Sequence, residues 1–480
     1  MVFSPSMLWR TVIGLEVHCQ LGTRSKLFCP CPAAFGAPPN THVCPVCLGA
    51  PGALPVLNRE AVRLALRAAL ALGCEVDRAS RFDRKHYFYC DLPKGYQISQ
   101  YARPLARGGE LALASGKRVH LRRIHLEEDA GKAIHDRGAH TLVDLNRAGV
   151  PLIEIVGEPE LGTPEEAQDF LTRLRETLVF AGVSECDMEK GSLRCDVNVS
   201  LHRRGEPLGT RVELKNLNSF RNVGAALERE IARQRALLEA GERVQQETRL
   251  YDAARGETRV MRAKEDEDDY RYLPEPDLGV VRLGEEELAR EQAALPEPAA
   301  ARRARWQSEL GLSAYDAGVL TATPALAEAF EETARLSGAP KEAANWLAND
   351  VAAAVTQAGA GGPRELGYGP ERLAALIALV GAGRVSKSGA KDLLAAMRGN
   401  ERAPEALLTE LGLAQVSDEG ELEAWCRGAI AAAARAAADV RAGEEKALGA
   451  LLGKVMAASG RRANPARARE ILLRLIREEP

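Results

Sequence analysis

Two close pairs of cysteines near the start of the chain could bind a metal ion. One residue separates Cys29 from Cys31, two separate Cys44 from Cys47, and twelve lie between the pairs. Two pairs of thiolates joined by a short loop suit a tetrahedral Zn²⁺ site, and a site that fills all four positions leaves none open for substrate. The spacing therefore predicts a structural Zn²⁺. A catalytic Zn²⁺ and four unligated thiols are the alternatives.

Acidic and histidine side chains recur at every second position in four other segments. Because side chains alternate between the two faces of a strand, each segment would have one apolar and one polar face. The polar faces carry Glu16, His18 and Gln20; His125 and Glu127; Asp196, Asn198 and Ser200; and Arg211, Glu213 and Lys215. A sheet with one face in water is the simpler interpretation. Asp and Asn have low strand propensity, however, and we favour a cleft lined by carboxylates.

Such a cleft, which would also include Glu154, could support phosphoryl transfer. Mg²⁺ takes oxygen ligands and keeps several waters, and in phosphoryl transfer it bridges phosphate oxygens and offsets developing charge. Lys132, Lys190, Arg194 and Lys215 are candidate cations. The sequence contains neither a Walker A motif nor the kinase glycine loop with its partner motifs. A nucleotide site would therefore be formed by carboxylates on a sheet.

The elements that would position these groups lie in a strand-rich part, which a helix-rich part follows. Short β-like runs continue to about residue 290, and the chain then becomes rich in Ala, Leu, Glu and Arg, as helices are. Asn58 and the capping sequence that starts at Thr163 predict helices within the first part. The composition predicts an α+β fold followed by helices, with parts at 1–293, 294–405 and 406–480.

Two further segments could contact a substrate. The segment Arg84–Gln97 combines aromatic, basic and turn residues; either the aromatics are buried or the segment is a substrate loop. Residues 451–480 contain seven Lys and Arg and three Glu. That excess fits either a solvated helix face or contact with a nucleic-acid backbone.

Composition restricts the remaining possibilities. The net charge is −3, so a nucleic-acid contact requires a local basic patch. Aromatic residues make up 5% of the chain, which argues against an RNA-binding module built on aromatic platforms. No apolar run reaches the length of about 18 residues that a membrane helix needs, and no secretory signal is recognisable. We expect a cytoplasmic protein that binds neither membrane nor DNA.

Long stretches of the chain resemble one known family. They are GLEVHCQL (14–21), SKLFCPC (25–31), PGALPVLN (51–58), FDRKHYFYCDLPKGYQISQ (82–100), HLEEDAGK (125–132), VDLNRAGVPLIEIVGEP (143–159), GSLRCDVNVSL (191–201), ELKNLNSF (213–220), DDYRYLPEPDL (268–278) and GKVMAASGRRANP (453–465). Nearly end to end, the chain resembles the B subunits of the tRNA-dependent amidotransferases, the GatB family. So many matches in the same order make the resemblance highly specific.

The resemblance implies a fold and an activity. The fold would be a glutamine synthetase-like, antiparallel-sheet cradle at 1–293 with an inserted zinc-binding loop, then a helical domain and a tRNA-binding tail. The enzyme would use ATP and Mg²⁺ to phosphorylate the side-chain carboxylate of Glu on tRNA(Gln) or of Asp on tRNA(Asn). Ammonia would then form the amide. It would come from glutamine hydrolysed by an amidase, the A component of the complex, and a small C component would complete a heterotrimer.

The resemblance also implies roles for particular residues. His18, Glu127 and Glu154 would hold Mg²⁺, with Glu16 and Lys215 completing the catalytic set. Asp196, Asn198, Glu213 and Lys215 would lie around the nucleotide or a second metal. The candidate cations Lys190 and Arg194 are assigned to the nucleotide with them. The four zinc cysteines are missing from some family members, which favours a structural Zn²⁺. His86, Cys90 and Cys19 stand where the family usually has Asn, Pro and Val, and the role of the loop around Cys90 stays open.

Two other functions remain as alternatives. The first is a free-standing amide ligase of the glutamine synthetase type that acts on a small amino acid; the helical last third of the chain speaks against it. The second is a non-enzymatic, zinc-containing tRNA-binding scaffold, against which the carboxylate faces speak. No amidase signature or catalytic Cys–His arrangement is evident. Glutamine hydrolysis is therefore expected in a partner protein.

Overall fold

The protein divides into two compact units. The computed structural model describes residues 9–135, 138, 140–263, 270–416, 418–444, 446–460 and 462–478. The units are Met1–Ala299 and Ala300–Pro480. The first contains strands and helices and the second is helical, so the predicted α+β class is confirmed.

The strands lie in the first unit. They are β1 (Trp9–Gln20), β2 (Glu75–Val76), β3 (Ala79–Ser80), β4 (Asp83–His86), β5 (Tyr96–Ser99), β6 (Ala106–Arg107), β7 (Glu110–Ala112), β8 (Arg118–Glu128), β9 (Lys132–Ile134), β10 (Leu142–Asp144), β11 (Pro151–Gly157), β12 (Leu193–Arg203), β13 (Val212–Lys215), β14 (Glu247–Asp252), β15 (Glu257–Ala263), β16 (Leu273–Pro274) and β17 (Val281–Arg282). The same unit contains the helices α1 (Arg59–Ala71), α2 (Pro164–Phe180), α3 (Phe220–Glu239) and α4 (Glu285–Ala293).

One large sheet organises this unit. In the described residues it contains ten strands, in the order β15-β14-β13-β12-β1-β11-β8-β6-β2, with β7 also paired to β8. β1 lies near the middle and pairs antiparallel with β11 and β12. β13 and β14 pair in parallel, because α3 connects them and a crossover helix returns the chain in the same direction. The sheet is therefore mixed rather than wholly antiparallel.

The predicted alternation of side chains is present in the central strands. Ile13, Leu15 and Val17 of β1 are buried with Val197 and Val199 of β12 in one hydrophobic core. Helices α1 and α3 contact strands of this sheet, and α2 contacts both helices. The polar residues of the same strands therefore point to the opposite face.

The predicted helix starts are confirmed. Thr163 Oγ1 accepts a hydrogen bond from Glu166 N at 3.2 Å, and Asn58 Oδ1 accepts one from Glu60 N at 3.0 Å. The Glu166 carboxylate accepts from Gly162 N rather than from the amide of Thr163. Gly182, with φ of +67°, follows the end of α2, because a glycine adopts this backbone conformation without strain.

The second unit is built from helices. They are α5 (Ala299–Leu310), α6 (Ala314–Leu320), α7 (Pro324–Ser337), α8 (Pro340–Trp346), α9 (Ala352–Ala358), α10 (Pro370–Gly381), α11 (Lys387–Met397), α12 (Pro404–Glu410), α13 (Glu419–Ala432), α14 (Ala434–Arg441), α15 (Ala447–Ala458) and α16 (Pro465–Glu478). A π-helical turn covers Leu347–Val351 and a 3₁₀ turn Pro363–Leu366. The last four helices share a hydrophobic cluster of their own. None of the helices described has the length and apolar character that a bilayer crossing requires.

Candidate active site and metal centres

Strand register brings the polar side chains together. His18 of β1 is the ladder partner of Glu154 of β11, and Glu154 is in turn the partner of His125 of β8. On the other side of β1, Glu16 is the partner of Asp196. Since directly opposed residues point to the same face, these residues form a continuous polar surface across four strands.

Three of these side chains form a cluster that could hold a metal ion. His18 Nε2 lies 3.4 Å from Glu154 Oε2 and 3.8 Å from Glu127 Oε1. Each residue offers a ligand atom, and the three atoms lie within 4.8 Å of one another. We call His18, Glu127 and Glu154 the triad. The predicted Mg²⁺ residues are thus brought together.

Charge is concentrated at the triad. Burial opposes the ionisation of Glu127 and Glu154, but nearby histidines outweigh it and hold the pKa of both carboxyls below its ordinary value. Burial also opposes the charge of His18, but Glu154, Glu127 and Asp196 raise the pKa of His18 to about 9. Two buried carboxylates that repel each other fit a hard cation. The imidazole nitrogen is a softer third ligand.

A second polar cluster lies towards β13. Asn198 Nδ2 donates to Glu16 Oε1 at 2.9 Å. Lys215 forms a short ion pair with Asp196, and its Nζ lies 3.5 Å from Glu213 Oε1. Burial opposes the charge of Lys215, but both carboxylates raise its pKa. This cluster therefore offers anionic and cationic groups beside the triad.

Arg194 is oriented by a buried carboxylate. Its Nη2 donates to Asp129 Oδ1 at 2.8 Å, and Gln20 Nε2 donates to Asp129 Oδ2 at 2.7 Å. Burial opposes the charge of Asp129, but Arg194 and Arg147 outweigh it and keep the pKa of the carboxyl below its ordinary value. Arg194 is thus a fixed cation on the polar face.

A cavity of about 1090 Å³ opens over this face. Among the predicted site residues, its lining includes Glu16, His18, Glu127, Glu154, Arg194, Asp196, Glu213 and Lys215. Two predicted residues lie elsewhere in the described chain. Asn198 lines an adjoining cavity of about 210 Å³ with Glu16. Lys190 stands in the turn before β12 with its side chain 45% exposed, and its Nζ lies 2.7 Å from Glu185 Oε2.

His125, which the sequence places on the polar face without a role, and Lys85 also line the cavity. His125 Nε2 lies 3.5 Å from Glu127 Oε2 and 3.6 Å from Glu154 Oε2. Lys85 lines the cavity; burial opposes its charge, but Glu127, Tyr272 and Glu154 raise its pKa. His125 lies on the same polar strand face as Glu127, and this alternation was the feature of the sequence that indicated its position. Lys85 lies in the segment Arg84–Gln97. One interpretation of that segment was a loop that contacts the substrate.

The four cysteines form the second candidate metal centre. Their ligand atoms lie within 4.8 Å of one another, as tetrahedral thiolate ligation requires. A hydrogen bond from Cys29 lowers the pKa of Cys47 to about 4, and the charge of Lys26 contributes. Lys26 is fully buried, and its Nζ lies 3.5 Å from Cys47 Sγ and 2.7 Å from His42 O. A buried ammonium beside a thiolate fits a cluster that carries negative charge when ligated.

Comparison with known proteins gives consistent matches. The sequence pattern of the GatB/GatE catalytic domain matches residues 11–289, and that of a GatB domain matches residues 328–476. The B subunit of the aspartyl/glutamyl-tRNA(Asn/Gln) amidotransferase of Elusimicrobium minutum is 47% identical over 471 residues, 97% of this chain and 98% of the relative. The proteins of the same name from Anaeromyxobacter dehalogenans and Thermomicrobium roseum are 50% identical over 476 and 477 residues, with the same coverage.

Proposed function

Because the chain belongs to the GatB family, whose members are the B subunits of aspartyl/glutamyl-tRNA(Asn/Gln) amidotransferases, we propose that it forms the amide bond on mischarged tRNA. It is a carbon–nitrogen ligase that uses glutamine as the amido donor. Its substrates are Glu-tRNA(Gln), Asp-tRNA(Asn) or both. The observation that carries the mechanism is the triad at the base of a cavity that also contains Lys85, Arg194 and Lys215.

The reaction follows from the chemistry of a carboxylate. A carboxylate is a poor acyl donor, because oxide is a poor leaving group. A side-chain carboxylate oxygen attacks the γ-phosphorus of ATP, and ADP leaves. Ammonia then attacks the carbon of the acyl phosphate and phosphate leaves, which gives the amide. His18, Glu127 and Glu154 would hold Mg²⁺, which would offset the negative charge of the phosphates.

The remaining residues of the cavity supply position and charge. Lys85, Arg194 and Lys215 attract the phosphates of ATP and balance the charge that accumulates in transfer. Glu16, Asp196 and Glu213 face the nucleotide or a second metal ion, and Asn198 orients Glu16 through their hydrogen bond. Lys190 lies outside the cavity lining, and its Nζ lies 2.7 Å from Glu185 Oε2.

We propose the same division of the chain that its composition predicts. Residues 1–293 form a glutamine synthetase-like cradle, and a structural Zn²⁺ held by the four cysteines fixes the inserted loop. Residues 294–405 form a helical domain and residues 406–480 a tRNA-binding tail. The separate hydrophobic cluster of α13–α16 supports an independent tail. The amidase (A) and small (C) components of a heterotrimer are the proposed partners, and the cytoplasm the proposed location.

Dependence of ATP turnover on the acyl substrate tests this function. The chain, purified with its amidase and small partner proteins, is supplied with Mg²⁺, ATP and ammonia. Glu-tRNA(Gln), Asp-tRNA(Asn) and free glutamate are compared as substrates. ADP formation that requires a charged tRNA is expected, and the faster tRNA identifies the substrate. ADP formation with free glutamate alone would instead support a glutamine synthetase-type ligase.

A further inference from the structure

Aromatic side chains are concentrated at the mouth of the cavity. The chain has nine tyrosines, all in its described part, and five of them line this cavity together with Phe88. We call these residues the aromatic rim: Tyr87, Phe88, Tyr89, Tyr101, Tyr270 and Tyr272. Aromatic residues make up only 5% of the chain, so six of them around one cavity are a local concentration.

Four rings of the rim contact one another, and two of them are stacked. The rings of Tyr101 and Tyr272 are parallel within 13°, with their centres 4.1 Å apart. Tyr270 meets Tyr272 edge to face at 6.3 Å, and meets Tyr87 in the same way at 6.4 Å. The rings come from three separate segments of the chain, so tertiary structure fixes the stack.

The outer rings are open to solvent. Phe88 is 79% exposed and Tyr89 is 52% exposed. When a flat partner covers such exposed rings, their apolar surface is removed from water, and exposed apolar surface of this kind often marks a binding site. The rim thus continues from rings that contact one another to two rings that are more open to solvent.

Cations accompany the rings. Lys85 Nζ lies 4.7 Å from the ring centre of Tyr270, and the guanidinium carbon of Arg123 lies 5.8 Å from that of Tyr101. Lys132 and Arg147 line the same cavity. Many proteins bind single-stranded nucleic acid with aromatic rings interspersed with Lys and Arg. The rings stack on the bases, and the cations attract the phosphate backbone.

We propose that the aromatic rim binds the unpaired 3′-terminal nucleotides of the aminoacyl-tRNA by base stacking. This inference rests on the proposed function. The terminal adenosine carries the amino acid, so stacking at the rim brings the side-chain carboxylate to the triad. ATP has a single base, whereas the rim extends over several rings. The single-stranded tRNA end has several bases that can stack on these rings. Its phosphates can contact the cations between them.

Leucine variants of the exposed rings test the rim. Phe88→Leu and Tyr89→Leu keep an apolar side chain and remove the ring, and neither position belongs to a buried core. Phe35→Leu is the matched control, because Phe35 is 75% exposed and lies outside the lining of this cavity. In the complete complex, each rim variant is expected to raise the KM for aminoacyl-tRNA by about fivefold or more, since one base stack contributes that much. The KM for ATP and all constants of the control should stay within about twofold of wild type.

A spectroscopic signal reports stacking directly. A tRNA with 2-aminopurine in place of its terminal adenine loses fluorescence when the base stacks on an aromatic ring. Wild-type complex and the Phe35→Leu control are expected to quench this fluorescence. The Phe88→Leu and Tyr89→Leu complexes should quench it less at saturating protein concentration.

Several outcomes would overturn the inference. A raised KM for ATP with an unchanged KM for tRNA would assign the rim to the adenine of ATP. Loss of a partner protein from the rim variants in size-exclusion chromatography would assign it to a protein interface. If wild type requires charged tRNA and the rim variants bind it normally, the inference alone fails. If wild type turns over ATP with free glutamate and no tRNA, the proposed function fails as well.

Discussion

His18 and Glu154 face each other across β1 and β11 as ladder partners, and His18 Nε2 lies 3.4 Å from Glu154 Oε2. The contact depends on register. Because side chains alternate along a strand, a slip of one residue would turn Glu154 into the hydrophobic core. Ile153 and Ile155, the neighbours of Glu154, are fully buried on the other face and resist that slip. The hydrophobic core thus fixes the geometry of the candidate metal site.

Two lysines, one inside the cavity and one outside it, are expected to differ in their effect on catalysis. Lys85 lies in the cavity near two carboxylates of the triad, whereas Lys190 is paired with Glu185 outside it. Lys85→Met is expected to lower the kcat for ADP formation by about 100-fold, the effect of removing one group that stabilises a developing anion. Lys190→Met, the matched control, should leave kcat and the KM for ATP within about twofold. Equal effects of the two substitutions in steady-state kinetics would contradict this assignment.

The four cysteines are expected to contribute to stability through bound Zn²⁺. Cys47→Ser should abolish stoichiometric zinc in metal analysis and lower the Tm by about 5 °C or more, because metal binding free energy becomes folding free energy. Cys90→Ser is the control, since Cys90 is an exposed free cysteine outside the cluster. A Cys47→Ser protein that keeps its zinc, or that unfolds at the wild-type temperature, would rule out the structural role.

The start of α2 gives a prediction that depends on pH. The Glu166 carboxylate accepts from Gly162 N at 2.8 Å and from Lys117 Nζ at 2.7 Å. Burial opposes its charge, but both donors outweigh burial and hold the pKa of Glu166 below its ordinary value. The stabilisation is therefore full above the unfolded pKa, about 4.3, and is lost as the pH falls through the folded value.

Glu166→Gln should accordingly lower the free energy of unfolding by about 1 kcal/mol at about pH 7, the usual net contribution of an intramolecular hydrogen bond. The difference from wild type should shrink towards zero near pH 3 in urea unfolding. Glu165→Gln, at the exposed neighbouring position, removes a charge without these hydrogen bonds and should change stability by less. A difference that is the same at both pH values would show that the charge of Glu166 contributes nothing.

The hydrophobic cluster of α13–α16 suggests a deletion within the tail that leaves α12 whole. A deletion of residues 418–480 removes this cluster as a whole and keeps α12, which packs on α10 and α11. The KM for aminoacyl-tRNA should rise by about tenfold or more, because Lys and Arg contacts to phosphates are lost. The KM for ATP should change by less than about twofold. Unchanged tRNA kinetics at two salt concentrations would refute a tRNA role for the tail.

Local patterns accounted for much of the fold. Alternation in β1 and β12 predicted which residues face the hydrophobic core, and the caps at Asn58 and Thr163 predicted two helix starts. Non-local geometry was harder to predict. β11 is apolar on both faces apart from Glu154, so the strand that completes the polar surface has no alternating pattern of its own.

Three other features of the structure could not be predicted from the sequence, for similar reasons. Spacing cannot predict that Lys190 would pair with Glu185 in a turn, because the path of that turn depends on Asp187 accepting bonds from the turn's own amides. Lys85 belongs to a short strand that is distant in sequence from the triad. Only tertiary structure brings its side chain over the carboxylates. The parallel pairing of β13 and β14 likewise follows from the path of α3.

Trapping the activated carboxyl group tests the central claim most directly. Hydroxylamine replaces ammonia, so that the acyl phosphate is converted to a hydroxamate and phosphate. The wild-type complex with ATP, Mg²⁺ and its charged tRNA is expected to form the hydroxamate on the amino-acid side chain. Glu154→Gln should form it about 100-fold more slowly, because one anionic ligand of the triad is lost. Glutamine hydrolysis should continue in this variant. The control Glu160→Gln, outside the cavity lining, should match wild type. Absence of hydroxamate from wild type with either tRNA, or an unchanged rate in Glu154→Gln, would contradict the account.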